Sequence, residues 1–179
     1  NLPKPLHQIG GRPMLAWSLD AAKAAAASRV VTVLPRDSDS IFAWLDGQET
    51  CIQESPQGTG HAVKAAKEQL ADFHGVAIIM FADTPLVTAT TLAALAAAVT
   101  DGSDIAVLGF EARDPEGYGR LVIGEDQRLK KIVEHNDATK IERTITLVNS
   151  GVMEVRCPLL FDLLEELKPD NAKAELYLT

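Results

Sequence analysis

The side chains best suited to chemistry in this 179-residue chain stand where an apolar run breaks off. Val76 to Phe81 reads VAIIMF, and Ala82, Asp83, Thr84 and Pro85 follow it. An unbroken apolar run that stops at turn residues predicts a strand buried on both faces of a parallel sheet. Asp83 then falls at the carboxyl end of that strand, where open α/β sheets bind ligands. A carboxylate without a partner there would cost desolvation, so a cation or a polar ligand explains it. An aspartate before Thr84-Pro85 also starts a turn well, and that reading stays open. The second candidate is Gln57-Gly58-Thr59-Gly60-His61, a glycine-bearing loop that leads into a helix. Backbone amides at such a junction point outward and bind anions or carbonyl oxygens, although glycine turns before helices are also common without a ligand. His7, His61 and His135 show no metal-ligand spacing. No Ser-His-Asp or Cys-His arrangement is evident.

Composition narrows the classes. A net charge of −8 with scattered basic residues argues against a nucleic-acid surface. At 46% hydrophobic and 23% charged, the chain is an ordinary globular composition of one domain. Cys51 and Cys157 form neither a metal spacing nor a disulfide framework, and both read as buried thiols. That usage favours a reducing, cytoplasmic setting. No apolar run approaches the ~20 residues that span a bilayer, and the first residues lack a signal-peptide shape. A start at Asn1-Leu2-Pro3-Lys4 without methionine suggests a sequence that begins inside a longer chain.

The elements that must position these residues follow in order. Residues 1–12 carry Pro3, Pro5, Gly10 and Gly11 and predict a loop. Pro13 suits the first turn of a helix that runs to about Ala27. Arg29 to Leu34 predicts a strand, Ser40 to Leu45 a weak helix stopped at Gly47, and Cys51 to Gln53 a short strand. A helix from about His61 to Leu70 precedes the Val76–Phe81 strand. Thr88 caps a helix over Ala89 to Val99, and Asp104 to Glu111 is the next strand. This alternation predicts a doubly wound parallel sheet. Short strands at Leu121 to Ile123 and Leu129 to Val133, and a longer one at Leu147 to Val155, then predict a smaller antiparallel portion. Pro158 opens a last helix, Leu159 to Leu167. No strand precedes Asn1, so Val30–Leu34 and Val76–Met80 are expected to lack a partner between them.

Several blocks together point to a family. Leu2-Pro3-Lys4-Pro5-Leu6-His7 resembles the segment after the glycine-rich loop of sugar-1-phosphate nucleotidylyltransferases. Gln53, followed by Gly58-Thr59-Gly60-His61-Ala62, resembles the uracil-binding stretch of bacterial N-acetylglucosamine-1-phosphate uridylyltransferases. Phe81-Ala82-Asp83-Thr84-Pro85-Leu86 is similar to their tyrosine-glycine-aspartate-x-proline-leucine strand end. Asp114 to Arg120, Val133 to Ala138, Asn149-Ser150-Gly151 and Asn171 to Thr179 follow in the family's order. The resemblance covers almost the whole chain.

That resemblance implies an α/β, Rossmann-like doubly wound mixed sheet of nucleotidyltransferase type, with a small antiparallel sugar-binding portion. It makes residues 1–179 a pyrophosphorylase domain without its first strand, its glycine-rich loop and that loop's arginine. It also implies Mg²⁺-dependent transfer of UMP from UTP to N-acetylglucosamine 1-phosphate, within UDP-N-acetylglucosamine supply for peptidoglycan and lipopolysaccharide. Lys4 would neutralise phosphate charge. Gln53, an amide able to donate and accept at once, would read uracil with the backbone of Gly58 and Thr59. Asp83 and Asn171 would hold Mg²⁺. Gly119, Glu134 and Asn149 would bind the amino sugar. Phe81 and Ala82 stand where the family has tyrosine and glycine and would line the substrate, the Ala82 methyl close to the ribose. The family's acetyltransferase β-helix is absent from these residues; through it the full-length protein is expected to form a homotrimer. Rival readings are a relative for another sugar 1-phosphate, a non-catalytic sugar-nucleotide-binding module, and a metal-dependent glycosyltransferase. The last commonly carries an aspartate-x-aspartate pair, whereas Asp83 is followed by Thr84-Pro85.

Overall fold

The computed structural model describes residues 2–45 and 47–179. Asn1, the first residue of the expected opening loop, lies outside the described residues. In chain order come β1 (Gln8–Ile9), β2 (Arg12–Pro13), α1 (Met14–Ala24), β3 (Val31–Pro35), α2 (Asp39–Trp44), β4 (Glu49–Gln53) and α3 (Thr59–Ala65). After them come β5 (Val76–Ile79), α4 (Ala89–Thr100), β6 (Ile105–Glu111), β7 (Arg120–Ile123), β8 (Leu129–Val133), β9 (Leu147–Arg156) and α5 (Cys157–Glu166).

The strands form a β1–β2 hairpin, a parallel β3–β4 pair and a five-stranded sheet in which β9 is central. The ten-residue β9 carries β5 antiparallel on one flank, over Val76 to Ile79, and β6 antiparallel on the other. Its first half also meets β7, with Arg120 opposite Val148. The mixed sheet is as expected, but Leu147–Val155 is not part of the antiparallel appendage. It is the spine of the main sheet. Val148, Val152 and Glu154 are wholly buried, and Val155 nearly so; such burial suits a strand flanked on both sides and covered on both faces.

The expectation for β5 needs correcting in the same way. Its partner is antiparallel rather than parallel, only Ile79 is fully buried, and the strand stops before Met80 and Phe81. With hydrogen bonds to β9 on one flank, β5 remains half-buried. The β3–β4 pair and the five-stranded sheet share no strand hydrogen bonds among the described residues.

Strand alternation sends Ala77, Ile79, Met153 and Val155 to one face. There they pack with Leu160, Phe161 and Leu164 of α5 and with Val63 of α3. Helix α4 crosses the opposite face over β5, β6 and β9 and also touches α1. A second cluster joins Leu15 and Leu19 of α1 to Leu34 of β3 and to Ile41 and Leu45. Ala82 packs against this cluster.

Local signals held, with small shifts. Thr88 accepts a hydrogen bond from the Thr91 amide, the N-cap its side chain predicts. Pro13 sits just before α1 with an extended ψ of 143° rather than inside its first turn. Helix α1 ends at Ala24, because Ala26 takes a φ of 59° and turns the chain away. Helix α3 stops at Ala65 and continues as turns. Cys51 and Cys157 are buried free thiols, as expected, and burial pushes both thiols up.

Candidate active site

Asp83 lies just past β5 in a turn closed over the carbonyl of Phe81, to which Thr84 donates from its hydroxyl at 2.7 Å and its amide at 3.3 Å. Asp83 thus sits inside a turn with its carboxylate beside a side-chain partner. That partner is Lys4, whose ammonium donates to the Asp83 carboxylate at 2.6 Å. Lys4 is delivered by a single helical turn, Lys4–Leu6, started by Pro3 and Pro5 and closed by hydrogen bonds to Pro3 and Lys4 carbonyls. The hydrogen bond to Asp83, and then its charge, hold the Lys4 ammonium above the ordinary lysine range.

Gln53 ends β4, and its side chain turns back on the glycine loop. Its Nε2 donates to the Gly58 carbonyl at 3.3 Å and lies 2.9 Å from His61 Nδ1. The amide nitrogen thus faces the glycine loop and His61. Gly58 leads into α3 with a φ of 109°, a conformation that favours glycine.

A segment from the chain's far end lies on this loop. Leu176 donates to the Gln57 carbonyl at 2.7 Å and accepts from the Gly60 amide at 2.8 Å. Leu178 donates to the Thr59 hydroxyl at 3.0 Å. Of the amides the loop was expected to present outward, that of Gly60 is therefore engaged. This strap was not readable from sequence, since nothing local ties residue 176 to residue 60.

Gly119, Glu134 and Asn149 come together as expected. The Asn149 amide donates to the Gly119 carbonyl at 2.8 Å. The Glu134 carboxylate lies so close over Gly119 that a Cβ there would stand 3.2 Å from Oε1. Thr179 donates to the same Oε1 at 2.9 Å, which ties the strap to this corner as well. Asn149 Oδ1 accepts from the Gly151 amide at 2.9 Å. The Phe81 ring rests against Gly151, where a Cβ would collide with it, so the Asp83 strand end abuts the Asn149 corner. Ala82 is partly buried and packs against the α1–β3 cluster.

Glu134, Asp137, Asp170, Asn171 and Tyr177 line one cavity of about 400 Å³. Burial, and then the charges of Glu175, Glu134 and Asp137, push the Tyr177 hydroxyl up. Asn171 spends its amide inside its own loop: Nδ2 donates to the Glu175 carbonyl at 2.5 Å, and Oδ1 accepts from the Lys173 and Glu175 amides. Among the described residues it makes no hydrogen bond to Asp83. Sequence reasoning gave His61 and His135 no metal role. His61 meets Gln53, while His135 accepts from the Gly117 amide at 3.1 Å and, with buried Arg120, braces the turn before Gly119.

The chain has known relatives. The bifunctional protein GlmU of Maricaulis maris is 49% identical over 98% of the chain, and that of Caulobacter vibrioides 43% identical over 99%. The chain spans about 39% of each of those proteins. A solved UDP-glucose pyrophosphorylase complexed with UDP-glucose superposes over the whole chain and 76% of its own, with a TM-score of 0.79 at 17% identity, which shows a shared fold. HddC from Yersinia pseudotuberculosis superposes over 90% of the chain and 70% of its own, with a TM-score of 0.69 at 26% identity. The model of the MobA-like NTP transferase domain matches residues 1–157, and with these relatives beside it the chain belongs to that family.

Proposed function

We propose that the chain transfers UMP from UTP to N-acetylglucosamine 1-phosphate, giving UDP-N-acetylglucosamine and pyrophosphate. The observation that carries this reading is the Lys4–Asp83 pair at the end of β5. It sets a mobile cation and a hard oxygen donor side by side, next to the corner built by Gly119, Glu134 and Asn149.

The chemistry asks for alignment and charge neutralisation rather than a base. A phosphate monoester has a second pKa near ~6, so its oxygen is already anionic at neutral pH. That oxygen attacks the α-phosphorus of UTP; the new P–O bond forms as the bond to the β-phosphate breaks, and pyrophosphate leaves. Lys4, exposed and on a long stem, neutralises phosphate charge. Gln53 with Gly58 and Thr59 receives uracil, and Glu134 with Asn149 holds the acetamido sugar.

Mg²⁺ fits the residues present. Such an ion takes one or two protein oxygens and leaves its other positions to water and phosphates, and Asp83 offers one exposed carboxylate. Asn171 would be a second donor once its Oδ1 releases the two amides it now accepts. Bound there, the ion supplies positive charge to the phosphates. Pyrophosphate release by the full-length protein tests the reading. Release should require UTP, Mg²⁺ and N-acetylglucosamine 1-phosphate together, and release with glucose 1-phosphate alone would overturn the sugar assignment.

A further inference from the structure

His61 shares with Gly58 the hold on the Gln53 amide. The Gln53 nitrogen lies 3.3 Å from the Gly58 carbonyl oxygen, which can only accept, so the amide nitrogen must stand on that side. The same nitrogen lies 2.9 Å from His61 Nδ1. With the amide orientation set by Gly58, Nδ1 must be the acceptor, and the ring proton then sits on Nε2. Two hydrogens of the Gln53 amide thus meet two acceptors of the protein.

We infer that His61 is a specificity-positioning residue: together with the Gly58 carbonyl it holds the Gln53 amide so that Oε1 alone faces the nucleotide base. An oxygen held this way pairs with a ring N–H. Uracil and thymine carry that hydrogen at N3, whereas cytosine carries a lone pair there and meets the oxygen with repulsion. Without His61 only the 3.3 Å contact with the Gly58 carbonyl holds the nitrogen on that side, so the amide turns over more easily and presents its nitrogen, which suits cytosine. The choice of base thereby rests on a side chain that need not touch the base. This rests on the proposed reading of Gln53 as the uracil contact.

The test compares UTP with CTP in the full-length protein, as the ratio of kcat/KM values, for four variants. An asparagine oxygen reaches about where Nδ1 stands, a glutamine oxygen about where Nε2 stands, and leucine offers neither. His61→Leu and His61→Gln should lower the ratio roughly tenfold, the size of one neutral hydrogen bond, and His61→Asn should keep it. His61→Gln and His61→Asn differ by one methylene, so their contrast survives even if His61→Leu does not fold. The fourth variant, Gln53→Leu, should lower the ratio at least as far. A ratio unchanged by His61→Gln while Gln53→Leu lowers it would overturn this inference and leave the uracil reading standing. A ratio unchanged by Gln53→Leu would overturn the uracil reading itself. Equal losses with both nucleotides that asparagine fails to rescue would make His61 merely structural and sink the inference.

Discussion

Lys4 and Asp83 are separated by 79 positions in sequence, yet the lysine ammonium donates to the aspartate carboxylate at 2.6 Å. The pair is open to solvent, with the side chains 69% and 37% exposed, so it contributes little to folding. Its value lies in where it puts the charges. Asp83→Ala should therefore cut uridylyl transfer by about 100-fold or more while stability shifts by only ~0.5 kcal/mol. Pyrophosphate release and a denaturant titration measure the two effects. Near-native turnover would remove Asp83 from the chemistry.

Glu154 is wholly buried in the middle of β9, level with Ile78 and Ala106, and neither carboxyl oxygen has a hydrogen-bond partner. Desolvation pushes its carboxyl from 4.5 up to about 7. The folded chain thus holds this proton more tightly than the unfolded one. Its share of stability is complete below pH 4.5, falls as pH rises to about 7, and is flat above. The loss is on the order of 3 kcal/mol. Chemical denaturation of Glu154→Gln should lack this slope, and Glu154→Leu should be more stable than the natural chain at pH 8. Identical pH profiles for the natural chain and the Glu154→Gln variant would contradict the burial argument.

Gly58 and Gly102 have nearly the same φ, 109° and 114°, but different surroundings. A Cβ at Gly58 would stand 2.5 Å from the Leu176 carbonyl oxygen, whereas nothing lies within 4 Å of one at Gly102. Both alanine variants carry backbone strain of about 1–3 kcal/mol, and only Gly58→Ala adds a collision with the strap. Gly58→Ala should be the less stable of the two in thermal melts and should weaken UTP binding. Gly102→Ala should leave nucleotide binding unchanged.

Glu134 receives a hydrogen bond from Thr179 and lies over Gly119, remote in sequence from the glycine loop. Glu134→Ala should raise KM for N-acetylglucosamine 1-phosphate by about 10- to 100-fold, the worth of a hydrogen bond to a charged group. UTP affinity measured by calorimetry should stay within about twofold. A larger loss of UTP affinity would assign Glu134 to the nucleotide instead.

The alternation of elements, the Thr88 cap and the buried cysteines could all be read along the chain, because each depends on residues within about one turn of one another. Asp83 was legible for the same reason: a short apolar run ends there. Its partner in the sheet was not. A period-two pattern says which side chains share a face, and it is silent about the direction of the neighbouring strand.

The sequence alone determined the family and the α/β class. Tertiary structure decided that β9 runs antiparallel between β5 and β6 as the spine of the sheet. It also decided that Leu176 seals the Gly58 loop, that Lys4 meets Asp83, and that His61 lies against the Gln53 amide. Apart from that last contact, these join residues dozens of positions apart. Each is chosen by the packing and hydrogen-bond satisfaction of the whole fold, to which no local pattern is sensitive. His61 lies only eight residues from Gln53, yet the strand–loop–helix turn between them had to be built before the spacing became a contact.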